Sequence, residues 1–358
     1  MIADDTVREA VERGIFTAEQ AERLHALERE LASTNPLPQD DEKLRFITGF
    51  GDIFVTIGLA LFLGALGYLA NQKLGGEGMW RSVAVASWLL AELFTRRERM
   101  ALPSIVLLIV FALGVFCSLA SFLEPMVGDP SAARYPPPLF PDFSRPLAIG
   151  LAGLATVAAA GLHYWRFRVP ITLAAGGAAL VAAIVGLIAT FAPNFFTAAR
   201  DPLLVACGLV VFALAMRFDL SDKLRETRRA DIAFWLHLLA APLIVHPLLS
   251  GLAGNAARDG ATAALPILGT FAALGAIAVL IDRRALLVSG LVYAGIAFSS
   301  MIGQAGVNAV TTPFTILALG AFVLVLSAFW HPLRRVILAA MPAGLARRLP
   351  HPSIASPS

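Results

Sequence analysis

Apolar and polar positions in this chain are grouped in blocks, not interleaved. Residues 46–70, FITGFGDIFVTIGLALFLGALGYLA, carry a single ionisable side chain, Asp52, near the start of the run. A helix rising about 1.5 Å per residue needs about 20 apolar residues to cross a hydrocarbon core about 30 Å thick. The run therefore predicts a membrane-spanning helix. Nine further apolar runs follow, at 79–95, 102–123, 147–165, 171–191, 202–216, 232–252, 264–281, 285–302 and 313–330. The runs at 79–95 and 202–216 are short, which suits a small tilt or a thinned bilayer. The expected fold class is all-α: a polytopic helical membrane protein of about ten transmembrane helices, preceded by a small cytosolic helical hairpin.

The hairpin is expected within residues 1–45, where the pattern changes to an amphipathic one. Val7, Ala10, Val11, Ala21, Leu24, Leu27 and Leu31 recur at helical spacing. Thr6-Val7-Arg8-Glu9 and Thr17-Ala18-Glu19-Gln20 both fit the capping box, with Thr at the N-cap and Glu or Gln three residues on. Gly14 falls where a first helix would end, and Phe16 is placed to staple onto Ala21. Residues 35–42, NPLPQDDE, read as a linker, because their prolines disfavour helix. The bundle is expected over 46–330. Residues 331–358 hold Leu333, Val336, Ile337, Ala340, Leu345 and Leu349 between arginine pairs, the pattern of a basic interfacial helix followed by a tail.

Composition agrees with lipid as the solvent. Only 15% of the residues are charged against 58% hydrophobic, whereas soluble domains average about 25% charged. Lys43, Arg45, Arg96, Arg97, Arg99, Arg166, Arg168, Arg217, Lys223, Arg225, Arg228, Arg229, Arg283, Arg284, Arg334, Arg335, Arg347 and Arg348 all fall on one side of the alternation. The opposite side holds Lys73, Arg81, Arg134, Arg145, Arg200 and Arg258. By the positive-inside rule this bias places both termini in the cytoplasm and the arginine clusters against anionic lipids. Through Arg45 the chain carries eleven acids against six bases, so the expectation is an acidic head that docks on basic cytoplasmic loops. Residues 1–45 lack the basic-then-apolar pattern of a signal peptide, so the first span is expected to drive insertion. Basic residues do not alternate with aromatics, so nucleic acid is not an expected partner.

Small residues recur every four positions at Ala148-Ala152-Thr156-Ala160, Ala175-Ala179-Ala183 and Gly295-Ser299-Gly303. Such stripes let helices approach closely, within the chain in the first place, with a homodimer or a membrane partner as the alternative. The loop over 124–145 contains YPPPLFP and is expected to be a stiff polyproline connector.

Chemistry is sparse. Cys117 and Cys207 each sit in an apolar run without a CxxC partner or a histidine at ligand spacing, so neither a metal nor a disulfide is expected. No phosphate loop, HExxH, GxSxG or kinase set is present, and no cofactor or enzymatic activity is expected. Ionisable residues within spans remain: Asp52, Glu92 and His237 are the substrate or proton-relay candidates. His246 lies nearer the outer end of the seventh span, where Pro242 and Pro247 are expected to interrupt the helix and free carbonyls toward a polar cavity.

The segments RGIFTAEQAERL (13–24) and EKLRFITGFGDIFVTIGLALFLGAL (42–66) resemble the opening of an uncharacterised family of bacterial polytopic membrane proteins with an N-terminal helical hairpin, and the tail over 330–350 is similar to their ends. The resemblance implies a bacterial inner-membrane location and transfers no functional residues. The resulting expectation is a non-enzymatic inner-membrane protein with a cytosolic hairpin for partner contact or regulation. A secondary, proton-coupled transporter is the alternative, since about ten spans with both ends inside would suit two five-span inverted repeats. No similarity between the halves 46–191 and 202–330 supports such a duplication.

Overall fold

The computed structural model describes residues 11–15, 17–34, 50–127, 144–222, 227–259, 261–283, 311–339 and separate positions between 287 and 299. Most of the first helix of the expected hairpin, the linker at 35–42, the loop at 128–143, most of the run at 285–302 and everything after 339 lie outside them. All regular structure among the described residues is helical. The chain divides into two units, Met1–Leu44 and Arg45–Ser358.

In the first unit, α1 spans Ala18–Thr34. Its start is the capping box expected from the sequence. The Gln20 amide N–H donates to Thr17 Oγ1 at 3.2 Å, and the Thr17 N–H donates to Gln20 Oε1 at 2.9 Å. Two orphan donors of the first turn are thereby satisfied. Gly14, at φ 70°, ends the turn before it.

The second unit comprises α2 (Phe50–Ala91), a π-helical turn (Glu92–Arg97), α3 (Ala101–Val127), α4 (Pro146–Phe167), α5 (Ile171–Phe191), α6 (Pro193–Ser221), α7 (Arg228–Asp259), α8 (Ala261–Ile281), α9 (Thr311–Ala328) and α10 (Trp330–Ala339). Six of the described helices are long and apolar enough to cross a membrane, or seven if the bent pair α9–α10 counts as one span. The sequence pattern predicts about ten. Part of the difference lies in α2, where two predicted spans join into one 42-residue helix. That helix breaks at Gly75 (φ 71°, ψ −176°) and doubles back: a Cβ built on Gly67 would lie 3.4 Å from Val83 Cγ1, sixteen residues on. In a straight helix those two positions would stand about 24 Å apart. The run at 264–281 is apolar but short, and the run at 285–302 lies largely outside the described residues.

Gly75 occupies a backbone region that is essentially restricted to glycine. Gly75→Val should therefore lower the stability of the folded protein by about 1–3 kcal/mol, read as a fall in the thermal midpoint of the purified protein. An unchanged midpoint would show that the turn does not depend on that dihedral pair.

Burial is the reverse of a water-soluble globule. Phe54, Leu61, Val210 and Leu324 are each about two-thirds or more exposed, whereas Asp219, His237 and Arg283 are 3% exposed or less. A large apolar outer surface over helices of this length is the signature of lipid as solvent. Small residues make the closest helix approaches. Ala148, Ala152, Thr156 and Ala160 of α4 are buried, as are Ala179 and Ala183 of α5. Gly153 stands where a Cβ would come 2.8 Å from the Ala179 carbonyl oxygen, so these two stripes pack on each other within the chain.

Two prolines behave differently from expectation. α7 runs unbroken through Pro242 and Pro247. Its flanks at Ala240, Ala241, Val245 and Leu249 are fully buried, and tertiary packing holds the helix despite the missing donors. Pro202 acts as a proline should: the backbone of α6 departs from helix at Ala199 (φ −122°, ψ 15°), where the ring crowds the preceding turn. α10 leaves the axis of α9 at 61°. It is more than a surface anchor, because Trp330, Arg334 and Leu338, one helical stripe, are buried and Trp330 packs with Ala278, Val279 and Ile281 of α8.

Candidate functional site

The three candidate residues lie at the start of α2, on the π turn and on α7. Asp52 is 4% exposed in the first turn of α2, where its carbonyl oxygen accepts the Thr56 hydroxyl at 2.6 Å. Glu92 opens the π turn and is gripped on both carboxylate oxygens by Arg166 from the end of α4. Nε donates to Oε1 at 2.8 Å and an Nη2 hydrogen to Oε2 at 2.7 Å, while Arg96 adds a longer contact of 3.3 Å. This is the fork-on-fork geometry that suits a guanidinium and a carboxylate. His237, fully buried on α7, directs Nε2 at Asp219 Oδ2, 3.1 Å away. The described contacts of Glu92 and His237 share no partner.

Of the residues that organise this end of the bundle, the sequence singled out only the arginines, as charges of the alternation. Asp219, in the last turn of α6, receives Arg283 Nε at 3.0 Å on Oδ2 and Arg283 Nη2 on Oδ1. Arg283 also reaches the Ala230 carbonyl at 3.5 Å. A carboxylate engaged by a permanent cation is an acceptor, which assigns the His237 proton to Nε2. The residue before Arg283, Asp282, sits at φ 58° and accepts Trp330 Nε1 at 2.8 Å, with Arg334 Nη1 at 3.9 Å. Asp222 accepts both the amide and the hydroxyl of Thr227, tying the end of α6 to the start of α7. The loops after α6 and α8 and the start of α10 are thus pinned together by buried polar contacts.

His163, on α4, was not singled out in the sequence. It is buried among Trp88, Phe111 and Phe167, with ring centroids 4.6–5.8 Å away, and its Nδ1 lies 3.4 Å from Thr172 Oγ1. The only sequence signal was a histidine within an apolar run, the same signal that His237 gives.

Two cavities flank these groups. One, of 720 Å³, lies between the second arm of α2 and α3 and is walled by apolar residues such as Trp88, Phe111 and Phe122, with Arg81 at its edge. The other, of 500 Å³, is bordered by the ends of the π turn and α4 and the starts of α3, α5 and α7. Among the described residues no group of His, Cys, Asp or Glu is arranged to hold a metal ion. Both cysteines are free thiols.

One regularity of the sequence is visible in space. Arg96, Arg99, Arg166, Arg168 and Arg228, from three successive clusters of the alternation, border a single cavity. Arg283 and Arg334, from the next two, join them through Asp219, Ala230 and Asp282. The basic ends therefore gather on one face of the bundle, and Lys73, Arg81, Arg145 and Arg200 take no part in these contacts. No family model, no curated protein and no solved structure matches this chain.

Proposed function

We propose that this chain is a non-enzymatic, multi-pass protein of the bacterial inner membrane, with both termini in the cytoplasm and its N-terminal helical unit serving partner contact or regulation. About ten spans fit this topology, with the arginine-rich face against the anionic cytoplasmic leaflet. The observation that carries the reading is how the acids are used. Glu92 is held on Arg166 and Asp219 on Arg283, each across two helix ends. Protonating such a carboxylate would break two charge-assisted hydrogen bonds, so it suits a clamp better than a relay. Glu92 bonds to Arg166 and His237 to Asp219, which points the same way, since a relay requires its members within hydrogen-bond reach.

Glu92→Gln should leave Arg166 without its counter-charge. As the pair is about one-third exposed, the expected loss is roughly 1 kcal/mol of stability, between a surface and a buried pair. The decisive measurement is uptake into reconstituted vesicles under an imposed pH gradient. No flux that depends on Asp52 or Glu92 is expected. Flux abolished by Asp52→Asn or Glu92→Gln would replace this reading with a proton-coupled carrier. Reporter fusions at both ends should signal the cytoplasmic side.

A further inference from the structure

The geometry points to a binding site for a phosphate group in the 500 Å³ cavity bordered by Arg96, Arg99, Arg166, Arg168 and Arg228. Five guanidinium-bearing residues share its wall with one acid, Asp231. Glu92 takes up Arg166 and, at longer range, Arg96. Among the described residues no carboxylate pairs with Arg99, Arg168 or Arg228. Three cations gathered around one concave space repel one another, and an anion within it relieves that repulsion. The guanidinium fork is the side chain best matched to phosphate oxygens.

Further features of the wall suit the same ligand. Thr95 Oγ1, in the π turn, is a buried hydroxyl with no hydrogen-bond partner. The starts of α3, α5 and α7 all border the cavity, at Ala101, Ile171 and Arg228. Their free amide groups and dipoles favour negative charge there. Arg99 and Arg168 hold left-handed backbone (φ 55° and 54°) at helix ends, where glycine would be unstrained. Apart from Ser104, the rest of the wall, including Met100, Ile105, Val169 and Trp235, is apolar or aromatic and suits the organic part of a phosphate ester. The volume falls in the ordinary range for small-molecule sites, about 300–1,000 Å³. The ligand class is a phosphate ester, either an anionic phospholipid headgroup entering from the leaflet or a soluble phosphate compound entering from water.

The test uses the purified full-length protein. Native mass spectrometry with phosphatidic acid, phosphatidylglycerol and phosphatidylcholine measures the lipid arm, and titration with inorganic phosphate and glycerol phosphate measures the soluble arm. One or both phosphate sources should bind, with phosphatidylcholine weaker than the anionic lipids. Arg99→Gln/Arg168→Gln/Arg228→Gln should weaken binding by about tenfold or more, the loss of several charge-assisted contacts. Arg217→Gln/Arg229→Gln, which removes charge from two residues that do not line the cavity, should change it by less than about twofold, a screened surface effect. Arg168→Gly separates a binding role from a structural one: relieved of left-handed strain, the variant should melt no lower than the parent while binding phosphate more weakly. It also serves where the triple variant does not fold. Lipid binding alone assigns a headgroup, and soluble binding alone assigns a free phosphate compound. Absence of both, equal loss in the control variant, or undiminished binding in Arg168→Gly and the triple variant overturns the site.

Discussion

Arg283→Met is expected to cost about 3–5 kcal/mol of folding stability, the range for breaking a buried ion pair by removing one partner. Asp219 is fully buried, so the substitution strands a carboxylate that, among the described residues, has only His237 left as a hydrogen-bond partner. Asp219→Leu should cost a similar amount by stranding the guanidinium, which would keep only the Ala230 carbonyl at 3.5 Å. The double variant Asp219→Leu/Arg283→Met should recover most of the loss, because an apolar pair of similar volume removes both desolvation penalties together. Unfolding of the purified protein in a denaturing detergent series measures all three. A single-variant cost below about 1 kcal/mol, the value of an exposed pair, would mean that water reaches these groups.

The second large effect is expected at the contact between α4 and α5. A Cβ on Gly186 would lie 2.5 Å from the Gly150 amide nitrogen and 2.6 Å from the Pro146 carbonyl oxygen. Both neighbours are backbone, so no side chain can swing aside. Gly186→Val must push the helices apart, at a cost of about 3 kcal/mol, the upper end for overpacking. Gly161→Val, on the same helix pair but with nothing within 4 Å of the added Cβ, is the control and should change stability by about 0.5 kcal/mol or less. Equal melting of the two variants would contradict the close approach.

These effects depend on features of unequal visibility in the sequence. The capping box at Thr17 and Gln20 was readable because both partners lie three residues apart and need only local geometry. The small-residue stripes of α4 and α5 were readable because lipid offers no hydrophobic drive between helices and leaves close packing to replace it. Their pairing with each other was not, since any two such stripes could have met. Asp219 and Arg283 lie 64 positions apart, and nothing local marks them as partners. Asp219 drew no attention in the sequence, and Arg283 looked like an orientation signal. His237 was noticed for being ionisable within an apolar run, yet its role is set by a carboxylate on the neighbouring helix. Pro242 and Pro247 misled for a related reason: the local rule against proline is outweighed where one face of the helix is tightly packed.

What the sequence by itself determined is the solvent and the alternation. Long apolar runs at membrane length and arginines concentrated at alternate turns follow from transfer energies that each segment feels on its own. What only the tertiary structure decided is which charges meet. Whether an arginine clamps an acid, as Arg166 and Arg283 do, or borders an open cavity, as Arg99, Arg168 and Arg228 do, depends on distances between helix ends. Those distances are set by close packing at glycine and alanine, a property of helices in pairs that no single segment contains.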